Sequence, residues 1–194
     1  MLEQACRQVS AWRAQNLWGT QQTVAVNISA KQLANKDVPQ LVATVLERNG
    51  IGRGHLEIEL TESNMLVNPE LAIASRHALT NMGVRAAIDD FGTGYSSLSY
   101  LQRFPFDTIK IDRTFVRGDG TGDRRIILRS IIALAHDLGM DVVAEGAESE
   151  ADEVDLNDLG CEFVQGFLYG QPMTAQEATK LIFRNVEEVE AYDA

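Results

Sequence analysis

Cysteine is nearly absent from this sequence. Cys6 and Cys161 are the only two in 194 residues, and they share no metal-ligand spacing. A disulfide framework and a thiolate metal site are both excluded, and a reducing, cytoplasmic setting is expected. Long hydrophobic runs are also missing. The longest, IILRSIIALA, is broken by Arg129, and it falls short of the ~20 apolar residues that a spanning helix needs. The opening MLEQACRQVS has charge and no apolar h-region, so it does not read as a signal peptide. Positive charge is scarce: 17 Lys and Arg stand against 28 Asp and Glu, a formal net charge of −11. So acidic a chain is not expected to grip a DNA or RNA polymer or an anionic membrane. A small anionic ligand held through metal ions remains open. Low-complexity tracts are absent too. The apolar fraction of 45% and the length suit one globular domain with its own core.

What is there is an alternation of short strands and longer helical periods. Strands are predicted over residues 23–29, 56–61, 85–90, 108–112, 141–146 and 162–167. Helices are predicted over 2–17, 33–49, 69–82, 124–138, 150–159 and 174–189, with a short one ending at Leu101. Gly50, Gly83, Gly139 and Gly160 follow helices, and Thr174 with Glu177 is spaced as a capping box. Repeated βα units imply a parallel sheet, either doubly wound or barrel-like.

Strand parity favours the barrel. Val24, Val26 and Ile28 share one face, Asn27 the other; Ile58 and Leu60 oppose Glu57 and Glu59; Ile88 opposes Asp89. Ile109 and Ile111 oppose Lys110, Ala144 opposes Glu145, and Val164 opposes Gln165. Each strand thus has one apolar face for a helix layer and a polar residue near its carboxyl end, where barrel active sites sit. Glu57 breaks the pattern, since it points inward below that rim. Asp89 points into the barrel mouth. Asp90, the first residue to leave the strand, can swing to the same place. With Asn27, Glu59, Lys110, Glu145 and Gln165 they form a crowd of carboxylates that is costly unless paired. Hard oxygen ligands suit Mg²⁺, Mn²⁺ or Ca²⁺, and adjacent aspartates can bridge two ions, as in phosphate-ester hydrolysis. A structural ion-pair network is the competing reading.

The stretches NISAKQL, EIELTES, IDDFGTGYSSLSYL, IKIDRTFV, VVAEGAES and QGFLYGQP occur in order. From Leu2 to Pro172 they make the chain resemble the EAL domain, the bacterial phosphodiesterase of the second messenger cyclic di-GMP. The resemblance implies a TIM-like (β/α) barrel, two Mg²⁺ or Mn²⁺ ions and hydrolysis of cyclic di-GMP to linear pGpG. It implies Asn27, Glu59 and Asp89 on the first ion, Asp89 and Asp90 on the second, Lys110 and Glu145 around the attacking water, and Gln165 near it. Glu145 joins the metal set, and Gln165 also serves as a substrate contact. Glu62 and Glu148 would hold the loop from Phe91 to Ser99, which usually couples the site to a dimer partner. The family's name comes from a Glu-Ala-Leu motif, and no such triplet occurs here. Residues 1–194 are therefore expected to be a single EAL-type domain lacking its first two strands: an incomplete barrel with about six of the eight strands of a fold that usually takes ~250 residues. Open sheet edges would favour a homodimer or other self-association, and turnover is expected to be impaired. The alternatives are an inactive cyclic di-GMP-binding or regulatory module, a non-functional fragment, and, more remotely, another Mg²⁺-dependent barrel.

Other signals carry less. GIGRGH precedes a strand, the reverse of a dinucleotide fingerprint, and RGDGTGDRR lacks the later Glu of a calcium loop. His55, His77 and His136 have no paired spacing, Ser96 and Ser97 lie in no nucleophile elbow, and Trp12 and Trp18 read as packing residues. Lys110 has two readings, structural counter-ion or stabiliser of phosphoryl charge.

Overall fold

The computed structural model describes residues 1–20, 22–61, 69–93, 98–117 and 122–192. Six strands, β1 (Val24–Asn27), β2 (Leu56–Thr61), β3 (Arg85–Phe91), β4 (Thr108–Ile111), β5 (Asp141–Glu145) and β6 (Phe163–Gln165), form one sheet. Every neighbouring pair is parallel, and the spatial order equals the chain order. A doubly wound sheet reverses direction at a switch point. This one never does, so it winds as an incomplete barrel. Helices α1 (Leu2–Ala14), α2 (Ala30–Leu33), α3 (Val38–Asn49), α4 (Pro69–Asn81), α5 (Leu98–Arg103), α6 (Arg113–Val116), α7 (Gly122–Asp137), α8 (Glu150–Asp158) and α9 (Ala175–Tyr192) alternate with the strands.

The outward strand face carries the core. Val26, Ile58, Leu60, Ala86, Ile88, Ile109, Ile111, Val142 and Ala144 are all buried against the helices. Helix α1 presents Cys6, Val9 and Trp12 to the same layer at helical spacing. Trp12 stacks on Trp18 at 5.4 Å and donates its indole N–H to Thr179 Oγ1 of α9 at 2.7 Å, so both tryptophans pack as expected. Arg76 on α4 is a buried cation with all three guanidinium nitrogens hydrogen-bonded. It reaches the Pro105 and Val84 carbonyls at 2.9 and 3.0 Å and Asp107 Oδ2 at 2.5 Å. Asp107 also accepts from the Ala86 amide at 2.8 Å. One guanidinium thus ties α4 to the entry of β3 and the turn before β4.

Three element predictions are corrected. The helix expected over 33–49 is two helices. Ser29 and Gln32 cap a single turn reciprocally, Asp37 restarts the chain, and Pro39 opens α3 because its missing N–H is not needed in a first turn. The strand expected to end at Asp90 runs on to Phe91. Asp112 does not close β4 but caps the unanticipated α6, accepting from Thr114 N at 2.9 Å. The Thr174–Glu177 capping box is formed, with Thr174 N to Glu177 Oε2 at 2.8 Å and Glu177 N to Thr174 Oγ1 at 3.3 Å. Among the described residues no helix is long and apolar enough to cross a membrane.

Candidate active site

The inward face of the sheet is polar in two tiers. At the lower tier Glu57 Oε1 accepts from Thr108 Oγ1 at 2.7 Å and from Arg85 Nε at 3.3 Å, and Arg85 Nη2 meets Asp141 Oδ2 at 2.5 Å. This answers the Glu57 anomaly. It points inward beside half-buried Arg85, its register partner on the neighbouring strand β3, and shares that cation with Asp141. The tier lines a cleft of about 740 Å³ together with Phe163, Gln165 and Tyr169.

The upper tier is centred on Lys110, the inward residue of β4. Its ammonium lies 2.6 Å from Glu145 Oε1, 2.9 Å from Glu59 Oε1 and 3.0 Å from Asp89 Oδ1. Burial alone would lower the Lys110 pKa. Hydrogen bonds to Glu145 and Glu59, and their charges, outweigh it and hold the ammonium above its ordinary value. Lys110 is therefore a fixed cation, a donor rather than a base. Glu59 is buried and pushed upward, first by desolvation and further by the charges of Asp89 and Glu145, against the pull of Lys110. Its second oxygen accepts from Asn27 Nδ2 at 3.0 Å.

Asp89 and Asp90 reach one place by a route that strand parity did not anticipate. The β3–β4 register shifts between Ile88 and Phe91, and Asp90 takes a left-handed φ of 54°. A bulge of this kind turns two successive side chains to the same side while the strand continues. Asp90 does not leave the strand; it is kinked within it. Its pKa is raised by burial first, then by the charges of Asp89 and Asp112. Slight burial works against Asp112 as well, yet hydrogen bonds from Thr114 and Arg113 hold it below the usual carboxylate range, so it stays charged. Sequence reasoning missed Asp112 as a neighbour of the site; its signal was Asp two residues before Thr114, an N-cap spacing.

Oxygens of Asp89, Asp90 and Glu145 lie within 4.8 Å of one another, the span available to ligands that share one divalent ion. Asp89 Oδ1 is buried, and although it sits beside the Lys110 ammonium it accepts no hydrogen bond. Four carboxylates face one ammonium, so the cluster is under-neutralised. An oxygen-only donor set with an orphaned buried oxygen and surplus negative charge fits a hard divalent cation. Of the candidate residues, Asp89, Asp90 and Glu145 form one group, and Asn27 and Glu59 form a pair joined to it through Lys110. Gln165 is paired in register with Glu145, and its carbonyl accepts from Gly146 N at 2.7 Å. Glu148 is ion-paired with Arg117. Glu62 and residues 94–97 of the loop after Asp90 lie outside the described residues.

The EAL domain family matches residues 1–172. The chain is 40% identical over 180 residues to the bifunctional diguanylate cyclase/cyclic di-GMP phosphodiesterase MucR of Pseudomonas aeruginosa, covering 91% of this chain and 26% of that protein. The fold is similar to the crystal structure of the EAL domain of Mycobacterium smegmatis DcpA, with a TM-score of 0.88 and 39% identity over 94% of this chain and 82% of that one. It is also similar to Klebsiella pneumoniae BlrP1, solved as a manganese/cy-diGMP complex, with a TM-score of 0.80 and 30% identity over 89% of this chain and 43% of that one. BlrP1 has been solved as a calcium/cy-diGMP complex as well, at a TM-score of 0.78 and 31% identity over 90% and 44% of the two chains. The chain spans about a quarter of the length of the curated relatives it matches.

Proposed function

Because the chain belongs to the EAL domain family, we propose that it is the rim-bearing part of a cyclic di-GMP phosphodiesterase that yields linear pGpG, with reduced turnover as it stands. The observation that carries this reading is the convergence of Asp89, Asp90 and Glu145 beside the Lys110 cation. Asn27, Glu59 and Asp89 would hold one Mg²⁺ or Mn²⁺, and Asp89, Asp90 and Glu145 the other. When bound, such ions polarise phosphoryl oxygens and bring the pKa of a water toward neutrality. The residues of the chain do the rest. Glu145 accepts the proton that the water loses as its oxygen bonds to phosphorus, and the 3′-oxygen, whose bond to phosphorus breaks, takes a proton from solvent water. Lys110, fixed as a cation, donates to a phosphoryl oxygen as charge grows there. Gln165, beside Glu145 on the rim of the cleft, orients the substrate.

Residues 1–194 are read as one EAL-type domain short of two strands, self-associating through its open edges. The two buried free thiols, Cys6 and Cys161, suit a cytoplasmic setting. The test is chromatography of cyclic di-GMP incubated with the chain and Mg²⁺ or Mn²⁺. Turnover to pGpG is expected, falling ~10²–10³-fold in Lys110→Ala, the usual loss of one charge-stabilising donor. A second reading rests on the lack of a Glu-Ala-Leu triplet: the chain binds cyclic di-GMP and leaves it intact. Bound, unhydrolysed nucleotide with either metal would select that reading over the first.

A further inference from the structure

We propose that the single-turn helix α6 is a brace that keeps Asp89, Asp90 and Glu145 in one coordination geometry, with Arg117 as the positioning residue that closes it; its consequence for turnover rests on the phosphodiesterase reading. The two arms of the carboxylate cluster come from strands that are not neighbours: β3 supplies Asp89 and Asp90, and β5 supplies Glu145. Lys110 on β4 lies between them, and its ammonium attracts both arms without fixing their direction. Something must hold the backbone on each side.

Helix α6 follows β4 directly, anchored by the Asp112 cap. It touches the chain just beyond both arms. Gly92, two residues after Asp90, has φ +96° and lies under Phe115; a Cβ there would come within 2.6 Å of the Phe115 ring. Gly146, the residue after Glu145, has φ +86°, and a Cβ there would come within 2.5 Å of Arg113 Cβ. At these two positions only glycine allows both the left-handed turn and the close seating of the helix. Arg117 then locks the second contact. Its Nε donates to the Gly146 carbonyl at 2.9 Å, and its Nη2 pairs with Glu148. The Gly146 amide is taken by the Gln165 carbonyl. The peptide after Glu145 is thus held on both sides.

These contacts close a ring. It runs from Lys110 through Asp112 and α6 to Arg117, across to Gly146 and Glu145, and back over the 2.6 Å ion pair to Lys110. Removing Arg117 opens the ring at one point and touches none of the candidate ligands. Residues that orient ligands from behind usually matter ~10–100-fold in metal affinity.

The experiment compares wild type with Arg117→Ala and, as a control, Arg125→Ala, whose ion pairs with Asp155 and Asp158 lie on α7 and α8. Amide hydrogen exchange is measured first on the metal-free chain. Mn²⁺ affinity follows, by electron paramagnetic resonance of the free ion, well below the unfolding temperature. Arg117→Ala should exchange faster at both 90–93 and 145–149 and bind Mn²⁺ at least tenfold more weakly, and millimolar guanidinium should restore much of the loss. Arg125→Ala should change neither. Exchange that rises only at 145–149, Mn²⁺ affinity equal to wild type, or a wild type without Mn²⁺ affinity overturns the brace. Cyclic di-GMP turnover is scored separately. A wild type that binds Mn²⁺ but leaves the nucleotide intact defeats the phosphodiesterase reading alone, and exchange with Mn²⁺ titration still decides the role of Arg117.

Discussion

Asp89 and Asp90 are chemically identical neighbours with different surroundings. Asp89 lies 3.0 Å from Lys110 and carries a buried oxygen without a hydrogen bond, whereas Asp90 stands at the kink of β3 with Asp112 behind it. Asp89→Asn should therefore cost more Mn²⁺ affinity than Asp90→Asn, since it removes the ligand assigned to both ions and leaves Lys110 with one carboxylate fewer. Calorimetric titration would show it, and equal losses would count against a shared ligand. The pKa directions give a second expectation. Glu59 and Asp90 are both raised in the folded chain, so without metal these two groups bind protons more readily folded than unfolded, whereas Asp112, Asp152 and Glu177 are held low and pull the other way. The contribution of Glu59 and Asp90 to stability should then rise as pH falls from just above the ordinary carboxylate range into it. Saturating Mn²⁺ should make stability fall more steeply with falling pH there than it does without metal, because protons compete with the ion for the same oxygens. Denaturant titrations with and without Mn²⁺ across that window check this, and the same slope in both conditions would mean that the carboxylates do not bind the ion. Sequence reasoning brought Glu59, Asp89 and Glu145 to one face, because parity along a strand is a local property. It missed why Asp90 joins them, because a bulge depends on the neighbouring strand.

Long helices were legible from apolar spacing and their ends, and so was the parallel sheet that a run of βα units implies. The elements that shape the site were not. Helix α6 has four residues, fewer than any periodicity can register, and it exists because Asp112 caps it and Gly92 and Gly146 leave room for it. The junction of β5 and β6 is equally local. At Gly166, the residue after Gln165, a Cβ would run into the Ala147 carbonyl and amide. Two backbones cross there with no side chain between them, and neither can yield as a flexible side chain would. Gly166→Ala should destabilise the fold by about 1–3 kcal/mol, the usual cost of overpacking, and displace Gln165 and Glu145 together. Denaturant unfolding gives the first effect and Mn²⁺ titration the second. Wild-type stability in the variant would mean that the β5–β6 crossing is looser than the structure has it.

At the scale of the whole molecule, the sheet has ends where a closed barrel has none. Strands β1 and β6 each pair on one side only among the described residues. Between them lies the cleft of about 740 Å³, floored by Glu57, Arg85 and Asp141. Near β6 the apolar side chains Phe163, Phe167, Tyr169 and Met173 are exposed. Strand edges carry backbone donors and acceptors that pair readily with another chain, and clustered apolar surface adds a driving force for contact. The net charge of −11 opposes association at low salt and is screened within about 8 Å at physiological ionic strength. The chain should therefore self-associate, more strongly as salt rises from low to physiological levels, and its unfolding midpoint should climb with protein concentration. Light scattering across a concentration series at two salt levels tests the first point, and thermal unfolding at the same concentrations tests the second. Phe163→Lys, at an exposed inward residue of the edge strand β6, places on the cleft face a charge that an added strand and its side chains would have to cover, and should shift the chain toward monomer. A monodisperse monomer at both salt levels, with a concentration-independent midpoint, would mean that α9, already tied to α1 through Trp12 and Thr179, is enough to close the open side of the sheet.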